Sequence, residues 1–271
     1  MHTRYAHLED LAIHWVHAGR SALPDVLPDL SRGKAVVFVH GEGGNGLLFR
    51  QPLEALVAAG HSPVALDLPL HGRSGNLPAE VRPDVAEYAR WLALFLEHLR
   101  HRPLVLVGHS LGAAVAVAAA QEQPQLVEAL VLCSAPPRFR FEAAYVDTWR
   151  QVMLGRIPQP FTLEPFSPKA DMKVVRATFM ENVKTDPRIR YFDLLAANEF
   201  DLADATRRLP QRLRLIAGRD DQLVPLEQAE ALSRLLPSAG FDIIDGAGHS
   251  LMMEQPEALS EALLRFLGDL G

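Results

Sequence analysis

The sequence has almost no cysteine, no surplus of positive charge and no long apolar run. Its single cysteine, Cys133, excludes an internal disulfide. No segment holds 18 uninterrupted apolar residues, so we expect no membrane span. The net charge of −6 provides no basic surface that would attract nucleic acid. The histidines are scattered, and neither an H-E-x-x-H motif nor a cysteine cluster indicates a metal site.

The composition that remains is typical of a globular protein. Hydrophobic residues make up 48% of the 271 residues and charged residues 22%, which is enough to form one substantial core. Residues 1–10 contain no apolar signal-peptide core, so the sequence predicts a cytoplasmic, reducing location. We expect a monomer or a homodimer in which Cys133 is a buried small hydrophobe.

Short apolar segments alternate with amphipathic segments of helical length. The predicted strands of the regular core lie at 35–39, 63–66, 104–107, 129–133, 213–217 and 241–244, and the first four are apolar throughout. The predicted helices lie at 48–59, 83–100, 113–123, 225–236 and 256–270. A half-buried strand near 12–17 and a proline-rich loop at 21–33 precede them. Such alternation predicts an α/β fold with a mostly parallel, doubly wound sheet.

The alternation is interrupted between residues 136 and 209. Prolines recur there, no buried strand is evident, and helical patterns occur near 142–154, 172–183 and 189–198. We therefore expect a core domain formed by 1–135 and 210–271, with a helical cap inserted at 136–209. Ligands of open α/β sheets bind beyond the carboxyl ends of the strands, so the cap is expected to cover that edge and select the substrate.

A tight turn with the sequence GHSLG joins a predicted strand to a predicted helix. It spans residues 108–112 and matches the G-x-S-x-G pattern of a nucleophile elbow, with Ser110 at its centre. Glycines on both sides of such a serine let neighbouring backbone approach closely. In isolation the turn is also compatible with a serine that only caps the helix. The catalytic interpretation therefore depends on a base and an acid elsewhere in the chain.

Candidates for both groups follow later strands. A serine hydroxyl needs a base to take its proton, and His249 follows the predicted strand 241–244 and a glycine-containing turn. Asp220 and Asp221 follow the predicted strand 213–217, although such a pair often caps the next helix instead. The order serine, aspartate, histidine along the chain is the order of α/β-hydrolases.

These motifs resemble the α/β-hydrolase family, and the resemblance covers essentially the whole chain outside the insertion. In that family the acid follows the spacing G-x-x-D-x-x-x-P, which selects Asp221. Segment 67–74, DLPLHGRS, is similar to the family's D-x-P-G-H-G-x-S loop, with Leu70 where a glycine is usual. Segment 248–257 is similar to the family's catalytic-histidine segment.

The resemblance implies a catalytic set. It implies a serine hydrolase of the carboxylesterase type that needs neither metal nor cofactor. The implied triad has Ser110 as nucleophile, His249 as general base and Asp221 as the acid that orients the histidine.

A glycine-rich loop with the sequence HGEGG supplies candidate donors for an oxyanion. It spans residues 40–44, and the natural donor pair is the backbone N–H of Glu42 and that of Leu111. The family usually has an apolar or aromatic residue where this chain has Glu42. The Glu42 carboxylate either turns to solvent or pairs with an arginine, or it repels anionic acyl groups and holds a polar or cationic one.

The same loop admits a dinucleotide-binding interpretation. Gly41, Gly43 and Gly46 satisfy G-x-G-x-x-G after a strand, and Asp67 ends the next strand, near the spacing used for a ribose. That interpretation leaves the elbow at 108–112 without a function. The hydrolase interpretation is therefore favoured.

We expect the protein to hydrolyse small, mainly apolar carboxylic esters through an acyl-enzyme. The candidate substrate-binding residues are Phe139, Trp149, Phe179 and Met252. Other reactions of the same triad remain open, namely carbon–carbon, lactone or thioester hydrolysis, perhydrolysis and acyl transfer. An alternative of another class is a non-catalytic small-molecule receptor on the same fold.

Overall fold

An eight-stranded sheet forms the centre of the molecule in the computed structural model, which describes residues 1–19, 26–78, 80–100 and 103–271. The strands are β1 (His2–Leu8), β2 (Leu11–His17), β3 (Ala35–Val39), β4 (Ser62–Leu66), β5 (Leu104–His109), β6 (Val127–Cys133), β7 (Arg212–Gly218) and β8 (Gly240–Ile244). Their order across the sheet is β1-β2-β4-β3-β5-β6-β7-β8. Part of the loop predicted at 21–33 lies outside the described residues.

Only the first two strands depart from a parallel arrangement. β1 pairs with β2, and β2 with β4, in antiparallel register, and every later pairing is parallel. Parallel neighbours need crossover connections, and helices supply them here. The prediction of an α/β fold with a mostly parallel, doubly wound sheet is confirmed.

Helices occupy the crossovers and the interruption that follows β6. They are α1 (Arg50–Ala58), α2 (Val85–His98), α3 (Leu111–Glu122), α4 (Ala143–Met153), α5 (Met172–Asn182), α6 (Ile189–Glu199), α7 (Leu202–Arg207), α8 (Leu226–Leu235), α9 (Leu251–Glu254) and α10 (Pro256–Asp269). Within the described ranges, none of these helices is both long enough and apolar enough to cross a membrane.

The sheet separates two apolar layers. Along β3, Val37 and Val39 pack into the layer that contains α2 and α3. Val36 and Phe38, which alternate with them, pack into the opposite layer with α1 and α10. Burial on both faces explains why this strand is apolar at every position.

The helices α4 to α7 lie between β6 and β7, where the insertion is predicted. α4 and α6 pack together around Trp149 and Leu194, in a small apolar cluster separate from the two main layers. α7 instead packs against α3, and its Leu202 belongs to the main core. The boundaries at 136 and 209 stay predictions.

Candidate active site

Ser110 lies at the sharp turn between β5 and α3. Its backbone has φ +52° and ψ −122°, a conformation that is strained for a residue with a side chain. A Cβ at Gly108 would lie 2.4 Å from Gly112 O, and one at Gly112 would lie 2.3 Å from Val39 O. The turn therefore needs glycine at both positions. The Ser110 amide donates to Cys133 O at 2.9 Å, which ties the turn to β6.

The structure brings Ser110, His249 and Asp221 into one line of hydrogen bonds. Ser110 Oγ is 3.0 Å from His249 Nε2, and His249 Nδ1 is 2.8 Å from Asp221 Oδ2. A carboxylate only accepts, so Nδ1 carries a proton and Nε2 is free to accept one from the hydroxyl. All three residues are buried.

Adjacent strands place the acid and the histidine next to each other. Gly218 at the end of β7 pairs with Ile244 at the end of β8, and the loops that follow are joined by the Asp220 amide donating to Ala247 O at 2.9 Å. Asp221 Oδ1 accepts the amides of Leu223 and Val224, which fixes the carboxylate.

Asp220 and Asp221, the two candidates for the acid, have different hydrogen-bond partners. The Asp220 carboxylate accepts a hydrogen bond from Ser167 Oγ at 2.6 Å, whereas Asp221 contacts the histidine. The structure thus places Asp221 at the position that the family spacing selects.

The environment of His249 favours its protonated form. Burial opposes protonation, but the charge and hydrogen bond of Asp221 outweigh it, and the negative charge of Glu42 adds to them, so the pKa of His249 is raised above its usual value. Glu42 Oε1 lies 3.8 Å from His249 Nε2. His249 therefore has a carboxylate near each ring nitrogen.

The backbone of Glu42 and that of Leu111 flank the nucleophile from neighbouring strands. Val39 of β3 pairs with Gly108 of β5, so residues 42 and 111 lie equally far beyond the paired positions. A Cβ at Gly41 would lie 3.0 Å from Ser110 Cβ, which shows how closely the loop packs on the serine. An oxyanion site formed by the Glu42 and Leu111 amides stays a prediction.

Asp67 is fully engaged in holding loops together. Its carboxylate accepts the Gly46 amide at 2.7 Å and the Arg73 amide at 2.9 Å, and it contacts His14 Nδ1 at 2.7 Å. Both oxygens of this carboxylate are therefore used by contacts within the protein. The dinucleotide interpretation therefore loses the residue on which it depends.

A buried carboxylate from the cap, Asp193, was not found by sequence reasoning. It accepts from Tyr88 Oη at 2.7 Å and from His71 Nε2 at 2.9 Å, and it is fully buried. His71 Nδ1 faces Pro69 O at 2.9 Å. Both ring nitrogens of His71 thus face acceptors, and both can donate only if the imidazole is protonated.

The electrostatics agree with an ion pair between His71 and Asp193. Burial opposes protonation of His71, but the charge and hydrogen bond of Asp193, with smaller contributions from the Pro69 carbonyl and Asp67, together outweigh it and raise the pKa of His71. Burial likewise opposes ionisation of Asp193, yet the His71 charge and the hydrogen bonds from His71, Tyr88 and the Gly43 amide together outweigh it and lower the pKa of Asp193. The neighbouring His40 is neutral, because burial and the His71 charge lower its pKa to about 4.

A small cavity of about 40 Å³ adjoins His249 and is lined by residues from the sheet domain and from the segment between β6 and β7. Its apolar wall includes Leu48, Leu223 and Met252. Its polar side chains include Glu42, Tyr145, Thr178, Asn182 and Arg190. Glu42 Oε2 is buried and has no hydrogen-bond partner in the described part of the chain. The site is consequently more polar than the sequence suggested.

Of the four residues proposed to contact substrate, the structure brings only Met252 to this cavity. Phe139 is buried in the main core, where its ring stacks on Phe141. Trp149 is buried beneath the Arg190 guanidinium, and Phe179 packs edge-on against Phe161. The expectation that these three rings line the cavity is wrong, because they pack against other side chains of the protein instead.

The described ranges contain no group of three or more His, Cys, Asp or Glu side chains arranged to hold a metal ion.

His109 packs beside His249 with ring centroids 4.8 Å apart, and its Nε2 contacts the His249 carbonyl at 2.8 Å. Its role in the site is thus to support the histidine loop.

Comparisons with known proteins agree with this architecture. The model of the alpha/beta hydrolase family matches residues 36–262. Pimeloyl-[acyl-carrier protein] methyl ester esterase of Vibrio vulnificus is 29% identical over 270 residues, which cover 94% of this chain and 98% of that protein. A thermophilic esterase from Thermogutta terrifontis superposes with a TM-score of 0.80 at 22% identity, over 100% of this chain and 99% of that one. An esterase from Exiguobacterium antarcticum gives 0.82 at 18% identity, over 98% and 99%.

The two structural likenesses concern the fold, whereas the family match spans most of the sequence. The chain therefore belongs to the alpha/beta hydrolase family.

Proposed function

We propose that the protein is a serine esterase in which Ser110 forms an acyl-enzyme. The observation that supports this most strongly is the unbroken line from Ser110 Oγ to His249 Nε2 at 3.0 Å and from His249 Nδ1 to Asp221 at 2.8 Å. A hydroxyl becomes nucleophilic when a positioned base takes its proton as it attacks.

The first half of the reaction acylates the serine. His249 Nε2 takes the hydroxyl proton as Oγ attacks the ester carbonyl, and the imidazolium is stabilised by Asp221. The tetrahedral oxyanion accepts hydrogen bonds from the backbone N–H groups of Glu42 and Leu111. His249 then gives its proton to the departing alkoxide, which leaves as the alcohol.

The second half releases the acid. Water enters from the cavity, His249 takes one of its protons, and the resulting hydroxide equivalent attacks the acyl carbonyl. The second tetrahedral intermediate collapses with the proton returning to Ser110 Oγ, so the triad is regenerated and no cofactor is consumed.

The cavity supports small esters with a neutral acyl group as substrates. The cavity is small, about 40 Å³, and Leu48, Leu223 and Met252 provide its apolar contacts. The Glu42 carboxylate disfavours an anionic group close to the reacting carbonyl. The Vibrio vulnificus relative is named for a methyl ester, so we propose that small alcohols, methanol among them, are suitable leaving groups.

Replacing the nucleophile tests the proposal. We expect Ser110→Ala to lower kcat for p-nitrophenyl butyrate and methyl butyrate by about 10⁴-fold or more, and to abolish labelling by a fluorophosphonate, with the thermal unfolding midpoint retained. Ser31→Ala, which changes an exposed serine, is the matched control and should behave as wild type.

Two outcomes would contradict the proposal. One is full turnover by purified Ser110→Ala. The other is a wild-type protein that neither reacts with fluorophosphonate nor hydrolyses any ester of the panel but binds a small molecule tightly, which would favour a receptor on this fold.

A further inference from the structure

One peptide group of the glycine-rich loop is held at both of its polar ends by a single cap helix. Arg190 Nη2 donates to Glu42 O at 2.9 Å, and the Gly43 amide donates to Asp193 Oδ2 at 2.8 Å. Glu42 O and Gly43 N belong to the same peptide bond. Because its carbonyl and N–H point in opposite directions, fixing both fixes the rotation of the peptide plane.

The two side chains share one face of α6. Arg190 and Asp193 are three residues apart, a spacing that places side chains side by side on a helix. Each is itself held, since the Arg190 guanidinium lies 4.6 Å from the centre of the Trp149 ring and Asp193 is bonded to His71 and Tyr88. The contacts therefore come from side chains with little freedom of their own.

The held peptide is the one that determines the type of the turn. The Gly44 amide donates to Gly41 O at 3.1 Å, which closes a four-residue turn with Glu42 and Gly43 at its centre. Gly43 has φ +62°, the left-handed value that a type II turn requires at its third position. Types I and II differ mainly by a half rotation of the central peptide, so the two contacts select between them.

The selected turn carries an amide donor of the proposed oxyanion site. The Glu42 N–H immediately precedes the held peptide, and a loop with glycine at 41, 43 and 44 has few backbone restraints of its own. Stabilisation of an oxyanion depends on donors that are already oriented before charge develops. In a loop free to change its turn type, orienting the donor would cost free energy in each catalytic cycle.

We propose that Arg190 and Asp193 of the cap are positioning residues that fix the Glu42–Gly43 peptide and thereby orient the Glu42 N–H for the oxyanion. This inference rests on the proposed esterase function. It makes the cap helix α6 part of the catalytic apparatus as well as a wall of the substrate cavity.

Arg190 is the residue to change, because removing Asp193 would also leave the His71 charge buried without its partner. Arg190→Met keeps a long side chain over Trp149 but removes the donor, and Arg190→Lys keeps a donor. Arg188→Met, which removes an exposed arginine from the start of the same helix, is the control.

The readouts separate orientation of the oxyanion donor from substrate binding and from folding. kcat and KM are measured on p-nitrophenyl butyrate and referred to active sites titrated with fluorophosphonate, so that a partly unfolded variant still gives a value. The inhibition constant of phenylboronic acid is measured in parallel. Addition of Ser110 Oγ to boron, with the proton passing to His249, gives a tetrahedral anion that resembles the reaction intermediate.

We expect Arg190→Met to lower kcat about 10-fold or more and to leave KM within about 2-fold of the wild-type value. The inhibition constant of phenylboronic acid should rise by the same factor by which kcat/KM falls. Arg190→Lys should retain more activity than Arg190→Met, and Arg188→Met should match wild type.

The inference is overturned if Arg190→Met keeps the wild-type kcat and boronate affinity, if Arg190→Lys is no better than Arg190→Met, or if Arg188→Met loses as much. A wild-type protein without esterase activity would instead refute the proposed function, so the two failures are distinguishable.

Discussion

Glu42 combines a proposed backbone role with an unusual side chain. Its carboxylate lies 3.8 Å from His249 Nε2 and is almost completely buried. A negative charge there favours the imidazolium but opposes the oxyanion that forms nearby, and both effects are strengthened by exclusion of water. The Glu42 charge therefore adds to the effect of Asp221 on the pKa of His249, and it is expected to disfavour anionic substrates.

The pH profile should respond to Glu42→Gln. His249 must be neutral to accept the serine proton, so a raised pKa of His249 causes activity to be lost as the pH falls through a value above the usual 6.5. Removing the Glu42 charge lowers that pKa, and the acidic limb of kcat/KM should move to lower pH.

The measurement is kcat/KM for a neutral ester between about pH 4.5 and pH 8. Glu227→Gln removes an exposed carboxylate of α8 and should leave the limb in place. An unchanged limb in Glu42→Gln, or one displaced to higher pH, would show that the carboxylate does not act on His249.

At the scale of elements, the elbow between β5 and α3 depends on close backbone contact. The Cβ of an alanine at position 112 would lie 2.3 Å from Val39 O and 2.5 Å from His40 O, and neither oxygen belongs to a flexible side chain. The start of α3 must then shift away from β3. Such overpacking typically lowers the free energy of unfolding by about 1–3 kcal/mol, and we expect a loss in that range here.

Gly112→Ala is accordingly expected to reduce the free energy of unfolding by about 1–3 kcal/mol in urea denaturation and to lower esterase activity. Gly268→Ala in α10 is the matched control, because its Cβ meets nothing within 4 Å. That variant should be unchanged or gain up to about 1 kcal/mol from helix propensity. Equal stability of the two variants would refute the packing argument.

Elements with one strong local signal were predictable from the sequence. The central strands β3 and β5 are mostly apolar and rich in valine because every position is buried, and the elbow carries its own motif. β1 was missed, since its sequence HTRYAHL alternates polar and apolar residues at the edge of the sheet. α7 was missed because it is only six residues long and follows another helix closely.

The ion pair of His71 with Asp193 could not be predicted for a different reason. Its partners are 122 residues apart and come from a loop and a cap helix, and neither has a local pattern that names the other. The same applies to the contacts that hold the Glu42–Gly43 peptide. A contact between residues that are far apart in the sequence leaves no periodic pattern in either segment from which it could be predicted.

On the scale of the whole molecule, residues of the predicted cap at 136–209 are linked by hydrogen bonds to the glycine-rich loop and, through Glu254, to the loop that carries His249. α6 contacts the glycine-rich loop, while Glu254 of α9 bridges the cap and the histidine loop. Its carboxylate accepts the Ser167 amide at 2.7 Å and the Gly248 amide at 3.0 Å. Displacement of the cap must therefore disturb the donors and the base together.

The bridge through Glu254 should be visible in the pH dependence of stability. Burial raises the pKa of Glu254 to about 6 from 4.5, in spite of its two backbone hydrogen bonds. The folded state then binds this proton more tightly than the unfolded state does. The stabilisation is fully present below pH 4.5 and is lost as the pH rises through about 6.

The difference in thermal midpoint between wild type and Glu254→Gln should thus fall as the pH is raised from about 4.5 to about 6 and level off above it. Glu257→Gln, an exposed neighbour at the start of α10, should show no such trend. A difference that is constant or increases over this interval would contradict the assignment.

The solitary thiol offers a practical consequence. Cys133 is buried at the end of β6, and burial raises the pKa of its thiol to about 12, so it remains protonated and unreactive towards maleimides at neutral pH. A cysteine introduced at the exposed Met180 of α5 would be the residue that takes up a fluorophore. The chain is thereby suited to spectroscopic recording of cap movement during turnover without prior removal of a native thiol.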